Sequence, residues 1–104
     1  MDWIVCGEAE NGQDGIVKAQ QLHPDLILLD FSMPGMNGLQ AARELKTLLP
    51  TTPIVMFTNH ASQTLESDAL LAGIDSVRDK AEGVGMLVRS IRGLLDNRIV
   101  PRTA

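Results

Sequence analysis

Three polar side chains in this sequence each stand at the end of an apolar run. Asp30 follows Leu26-Ile27-Leu28-Leu29, Thr58 follows Pro53-Ile54-Val55-Met56-Phe57, and Lys80 follows a weaker run from Ile74 to Arg78. A carboxylate can attack phosphorus and hold the transferred group as an acyl phosphate. Beyond the nucleophile, phosphoryl transfer needs positioning and positive charge beside the equatorial oxygens. Lys80 offers a point charge and Thr58 a hydroxyl donor. The segment Ser32-Met33-Pro34-Gly35-Met36-Asn37-Gly38 carries two glycines and a proline, a loop composition. Its glycines let backbone groups come close to a ligand.

These residues can act together only if the chain brings the run ends side by side. Trp3 to Gly7 is short, apolar and β-branched, which predicts a strand. Ile16, Val17, Ala19 and Leu22 follow at helical spacing, and His23-Pro24 stops that helix. Leu26 to Leu29 is apolar at every residue, which predicts a parallel strand buried on both faces. Leu39, Ala42, Leu45, Leu48 and Leu49 mark a second helix, ended by Pro50. Pro53 to Phe57 reads as another two-sided strand. Ala61 to Ala72 reads as a weaker helix with Leu65, Ala69 and Ala72 inward and Gly73 as its stop. Ile74 to Arg78 predicts a short strand. Val84, Leu87, Val88, Ile91, Leu94 and Leu95 give the clearest helical stripe. The order βαβαβαβα predicts a parallel sheet with helices on both faces. Sites in such sheets form at the C-terminal strand ends. That rule selects Glu8, Glu10, Asp30, Thr58, Asn59 and Lys80.

The remaining arithmetic narrows the class. At 104 residues the chain has the length of one domain, and 44% apolar with 21% charged residues suits a packed core. No apolar run reaches the ~18 residues that span a bilayer. One cysteine forms no internal disulfide, and with two histidines it supplies too few ligands for a structural zinc site. A net charge of −4 without a basic cluster argues against a direct grip on nucleic acid. The N-terminus has no positive start and no long apolar stretch, so it does not read as a signal peptide, and the cytoplasm is the expected compartment.

Each candidate also has a plainer role. Asp30 can cap a turn, Thr58 can cap the next helix, and Lys80 can pair with its neighbour Asp79. Glu8 and Glu10 read as solvated loop acids and His60 as a loop histidine. Cys6 reads as a small buried hydrophobe. Arg89, Arg92 and Arg98 lie on or beyond the outer face of the last helix.

Taken together, Leu28-Leu29-Asp30, Met33-Pro34-Gly35-Met36-Asn37-Gly38, Phe57-Thr58 and Asp79-Lys80 resemble the phosphoacceptor segments of response-regulator receiver domains, the CheY-like family. The likeness runs from Trp3 to about Asp96. Gly7-Glu8-Ala9-Glu10-Asn11-Gly12 is similar to the subfamily that carries a C-terminal helix-turn-helix DNA-binding domain. The resemblance implies a flavodoxin-like three-layer αβα fold with a parallel sheet. It implies a histidine kinase as partner, Asp30 as phosphoacceptor, and Thr58 and Lys80 on the phosphoryl oxygens. It also implies Mg²⁺ held by Asp30 and the backbone carbonyl of Ser32, and signalling through the last helices. The domain is not an enzyme beyond self-catalysed phosphotransfer and dephosphorylation. Residues 1–96 are the expected receiver and 97–104 a tail or linker. DNA is reached only through an effector domain absent from this chain, and no membrane is involved.

The sequence departs from the family in two ways. The usual first strand, which ends in an acidic pair, and its helix do not precede Trp3, so four strands and four helices are expected and Mg²⁺ binding is expected to be weak. An unpaired apolar edge then invites a homodimer through strand edges or the last helices. Val77 stands where the family often has an aromatic that rotates with the threonine. The alternative function is a phosphate-independent interaction module. A phosphatase of the Asp-x-Asp class is disfavoured, because Ser32 occupies the second acid's place.

Overall fold

The computed structural model of the chain describes residues 11–31, 37–59 and 61–99. Four helices alternate with three strands: α1 (Gly12–Leu22), β1 (Ile27–Leu29), α2 (Gly38–Leu48), β2 (Ile54–Thr58), α3 (Gln63–Leu71), β3 (Ser76–Asp79) and α4 (Val84–Ile99). A one-turn 3₁₀ helix, Lys80–Glu82, joins β3 to α4. The predicted strand at Trp3 to Gly7 lies outside the described residues, as do Glu8, Glu10, Ser32 and His60.

Short-range chemistry sets the helix ends. The Asn11 side chain accepts from the Asp14 N–H at 2.9 Å and caps α1. His23, at φ 47°, ends the helix in the left-handed region, and Pro24 cannot continue it. Asn37 and Gln40 exchange side chain-to-backbone bonds at the start of α2, a complete capping box. Ser62 caps α3, accepting from the Leu65 N–H at 3.1 Å. Thr58 is therefore not the helix cap the sequence allowed: the cap lies four residues further on.

All strands are parallel, in the order β1-β2-β3. Register pairs Ile27 with Ile54, Leu28 with Val55 and Leu29 with Met56, and β2 pairs Met56 with Val77 and Thr58 with Asp79. Side chains alternate between faces along a strand. One face sets Leu29, Ile54 and Met56 against Ile16 and Ala19 of α1, Ala42 and Leu45 of α2, and Leu65 and Ala69 of α3. The other packs Val55 against Leu87 and Ile91 of α4, with Leu26, Phe57, Leu94 and Leu95 at its margin. Helices thus cover both faces, the three-layer αβα arrangement.

Two expectations about burial need correction. Leu28 is not buried on both sides of β1: it is 48% exposed. It shares the Val55 face, where α4 packs over β2 and β3, so a two-sided apolar run is only half covered among the described residues. In α1, Ile16 and Ala19 are buried but Val17 and Leu22 are exposed. At 3.6 residues per turn, those two project roughly 100° and 120° away from Ile16, off the narrow stripe that meets α2.

At the N-terminal rim of the sheet, Lys46 and Asp75 form a clamp. Lys46 Nζ donates to the Thr52 carbonyl at 2.9 Å and to the Asp75 carboxylate at 3.2 Å, and the same carboxylate oxygen accepts the Ile54 N–H at 2.8 Å. One acid therefore ties α2, the start of β2 and the approach to β3. Removing it leaves a part-buried N–H without its acceptor, so Asp75→Ala is expected to cost about 1–3 kcal/mol in urea denaturation. A change within the error of the fit would show that water replaces the carboxylate.

Candidate phosphoacceptor site

The opposite rim carries the candidate residues. Asp30 follows β1, Thr58 ends β2 and Lys80 follows β3, so parallel topology gathers all three at one sheet end. Lys80 Nζ donates to Asp30 Oδ2 at 2.7 Å, closing a gap of fifty residues in sequence. The plainer pairing of Lys80 with Asp79 does not occur. The Asp79 carboxylate instead accepts the Ala81 N–H at 2.8 Å, and the Asp79 N–H donates to Glu82 Oε1 at 3.0 Å. This second capping box folds the turn that aims Lys80 across the rim.

The ion pair is open to solvent: its side chains are 36% and 38% exposed for Lys80 and Asp30. An exposed pair of this kind adds at most about 1 kcal/mol to stability. Its worth lies in fixing an ammonium beside a carboxylate before any third group arrives. Thr58, by contrast, is fully buried.

Two glycines hold this rim for different reasons. Gly38 opens α2, and its N–H donates to the Phe31 carbonyl at 2.9 Å, tying the helix to the residue after Asp30. A Cβ there would lie 2.6 Å from the Asp30 carbonyl oxygen and 2.8 Å from Met56 Cε. Gly83 ends the Lys80 turn at φ 88° and ψ 169°, a backbone region open almost only to glycine, with open space around its Cα. Gly83→Ala is expected to lose about 1–3 kcal/mol through conformation alone. Unchanged thermal unfolding would mean that the turn relaxes freely.

Lys80 has a further neighbour that sequence reasoning missed. Its Nζ lies 5.9 Å from the centroid of the Phe57 ring. The only sequence signal is an aromatic immediately before the threonine, and nothing in that spacing points toward Lys80. A groove of about 420 Å³ lies beside the site, between the start of α3 and β3, with Ser62, Glu66, Val77, Arg78 and Glu82 in its lining. Asp30 and Lys80 are not part of it. Arg89 and Arg92 are exposed on α4, as expected.

The chain is similar to known proteins along most of its length. The response regulator receiver domain family matches residues 1–92. The chain is 36% identical over 99 residues to the response regulator protein VraR of Staphylococcus saprophyticus, covering 95% of this chain and 47% of that protein. It is 46% identical over 76 residues to the nitrate/nitrite response regulator protein NarL of Escherichia coli, covering 71% of this chain and 34% of NarL. The chain thus spans about half the length of such relatives, or less. A crystal structure of a LuxR-family two-component response regulator from Aurantimonas sp. SI85-9A1 superposes with a TM-score of 0.89 at 24% identity, covering 93% of this chain and 69% of that one. An acid, a threonine and a lysine at the strand ends of a CheY-like αβα fold, matched along most of the chain, place it in the response regulator receiver domain family.

Proposed function

We propose that this chain is the phosphoacceptor unit of a two-component switch, with Asp30 as the residue that takes the phosphoryl group from a histidine kinase. The carrying observation is the 2.7 Å contact between Lys80 Nζ and Asp30 Oδ2. A carboxylate oxygen of Asp30 attacks phosphorus, forming a P–O bond as the P–N bond to the donor's imidazole breaks. The imidazole leaves with the bonding pair and takes up a proton from solvent. Charge on the equatorial oxygens grows beside the Lys80 ammonium, which is already in place. Thr58 meets the phosphoryl oxygens only once the rim above it opens, because no solvent reaches it in this arrangement. That demand links acceptance of the group to movement, and the movement is passed to partners through α3, β3 and α4. Val77 takes part without an aromatic lever.

Receiver domains are signalling proteins rather than classical enzymes, and those of this family typically bind Mg²⁺ at the phosphorylation site. That ion needs several hard oxygens in octahedral geometry. Among the described residues no three His, Cys, Asp or Glu side chains gather as a metal site. Asp30 would hold the ion together with the Ser32 carbonyl, which lies outside the described residues, and water would complete the octahedral shell.

The receiver unit is assigned to residues 1–96, and the stretch from 97 leads toward an effector that contacts DNA. That stretch starts as helix, since α4 continues through Ile99. No helix among the described residues is long and apolar enough to cross a membrane. We place the protein in the cytoplasm, where histidine kinases present their phosphorylated domains.

Intact mass after incubation with acetyl phosphate, with and without Mg²⁺, tests the reading. One phosphoryl group is expected on the unaltered chain and none on Asp30→Asn. No uptake, or uptake that survives in Asp30→Asn, overturns it. Lys80→Met is expected to slow uptake about 10²–10³-fold while changing stability by less than about 1 kcal/mol. Equal losses of stability and rate would reassign Lys80 to a structural role.

A further inference from the structure

The geometry points to Phe57 as a positioning residue for Lys80, a role that rests on the reading of Asp30 as phosphoacceptor. Phe57 is half-buried and packs against the Val55, Leu87 and Ile91 cluster, so α4 and β2 hold its ring. The Lys80 ammonium lies 5.9 Å from the ring centroid while it donates to Asp30 at 2.7 Å. A ring face attracts a cation within about 6 Å without accepting a conventional hydrogen bond. The ammonium has three N–H donors. One is spent on Asp30, and the ring claims neither of the others. Phe57 therefore restrains the ammonium on its long, flexible stem and leaves two donors for incoming oxygens. A carboxylate or carboxamide side chain in its place would compete with the phosphoryl group for those donors.

Two measurements on the full chain test this. The first is the NMR shift of the Lys80 Hε protons in the unphosphorylated protein, which the ring current of Phe57 displaces from the value of a free lysine. Phe57→Leu is expected to abolish that displacement and Phe57→Tyr to retain it. The second is the rate of uptake from acetyl phosphate, expected to fall about two- to fivefold in Phe57→Leu, as for loss of an exposed cation–π contact, and to return in Phe57→Tyr. If Phe57→Leu does not fold, Phe57→Met takes its place. Unchanged Lys80 shifts in the Leu or Met variant overturn the proposal, as does equal slowing in the Leu and Tyr variants. If the unaltered chain takes up no phosphoryl group, the phosphoacceptor reading fails on its own, and the NMR comparison still decides whether the ring holds Lys80.

Discussion

Gly38→Ala is expected to destabilise the protein by about 2–3 kcal/mol and to slow phosphoryl uptake by about two orders of magnitude. The sign is not obvious from helix propensity, since alanine in place of glycine favours a helix by up to about 1 kcal/mol. Space decides otherwise. The added Cβ would sit 2.6 Å from the Asp30 carbonyl oxygen and 3.0 Å from Phe31 Cα, both backbone atoms. Met56 Cε, at 2.8 Å, can move, but Met56 is itself fully buried. Relief must come from a shift of α2 or of the chain at Asp30, and it also strains the Gly38 N–H bond to the Phe31 carbonyl. A displacement of about 1 Å at a reacting group can cost about a hundredfold in rate. Urea denaturation and acetyl phosphate labelling of the same variant check both halves. A variant as stable and as fast as the original would show that the contact is not there.

Leu45→Ala is expected to separate stability from chemistry. Leu45 is 1% exposed on α2, within the cluster that joins α1 and α3 to the sheet. Truncating such a leucine costs about 2–5 kcal/mol, the transfer term plus the cavity left behind. Small domains rest on a margin of about 5–15 kcal/mol, so this one change removes a large part of it. The midpoint of thermal unfolding should fall by more than about 10 °C. Uptake per folded molecule should stay unchanged, because Leu45 belongs to no rim that carries Asp30 or Lys80. Leu48→Ala, one turn along and 44% exposed, should move stability by no more than about 0.5 kcal/mol. Equal effects at the two positions would contradict the packing described.

The sequence made the frame legible because its signals are local. Four amphipathic stripes, Pro24, Pro50 and Gly73 marked the helices and their ends, and apolar runs at Leu26 and Ile54 marked strands. Asp30, Thr58 and Lys80 were legible through topology, since alternation of strand and helix puts strand ends on one rim. What escaped was long-range and side-chain specific. Asp75 reaches Lys46 across twenty-nine residues and Lys80 reaches Phe57, and no periodicity encodes either contact. The exposure of Leu28 also escaped, because an apolar run states what a strand can bury and not which helix covers it. Ser62 rather than Thr58 caps α3, since both types cap well and only the path of the loop chooses between them.

Strand order along the described sheet follows chain order, and this bears on how the protein is made. A ribosome releases the chain from its N-terminus, so β1 emerges before β2 and β2 before β3. Each new strand can dock on the exposed edge of the one before it, with its helix already synthesised, and no earlier pairing has to be undone. Lys80 comes last of the reactive groups, fifty residues after its carboxylate partner. A nascent chain therefore displays Asp30 without its ammonium until β3 has joined the sheet. On the proposed reading, rapid phosphoryl uptake by Asp30 arrives late in biosynthesis, once the Lys80 ammonium has joined its carboxylate.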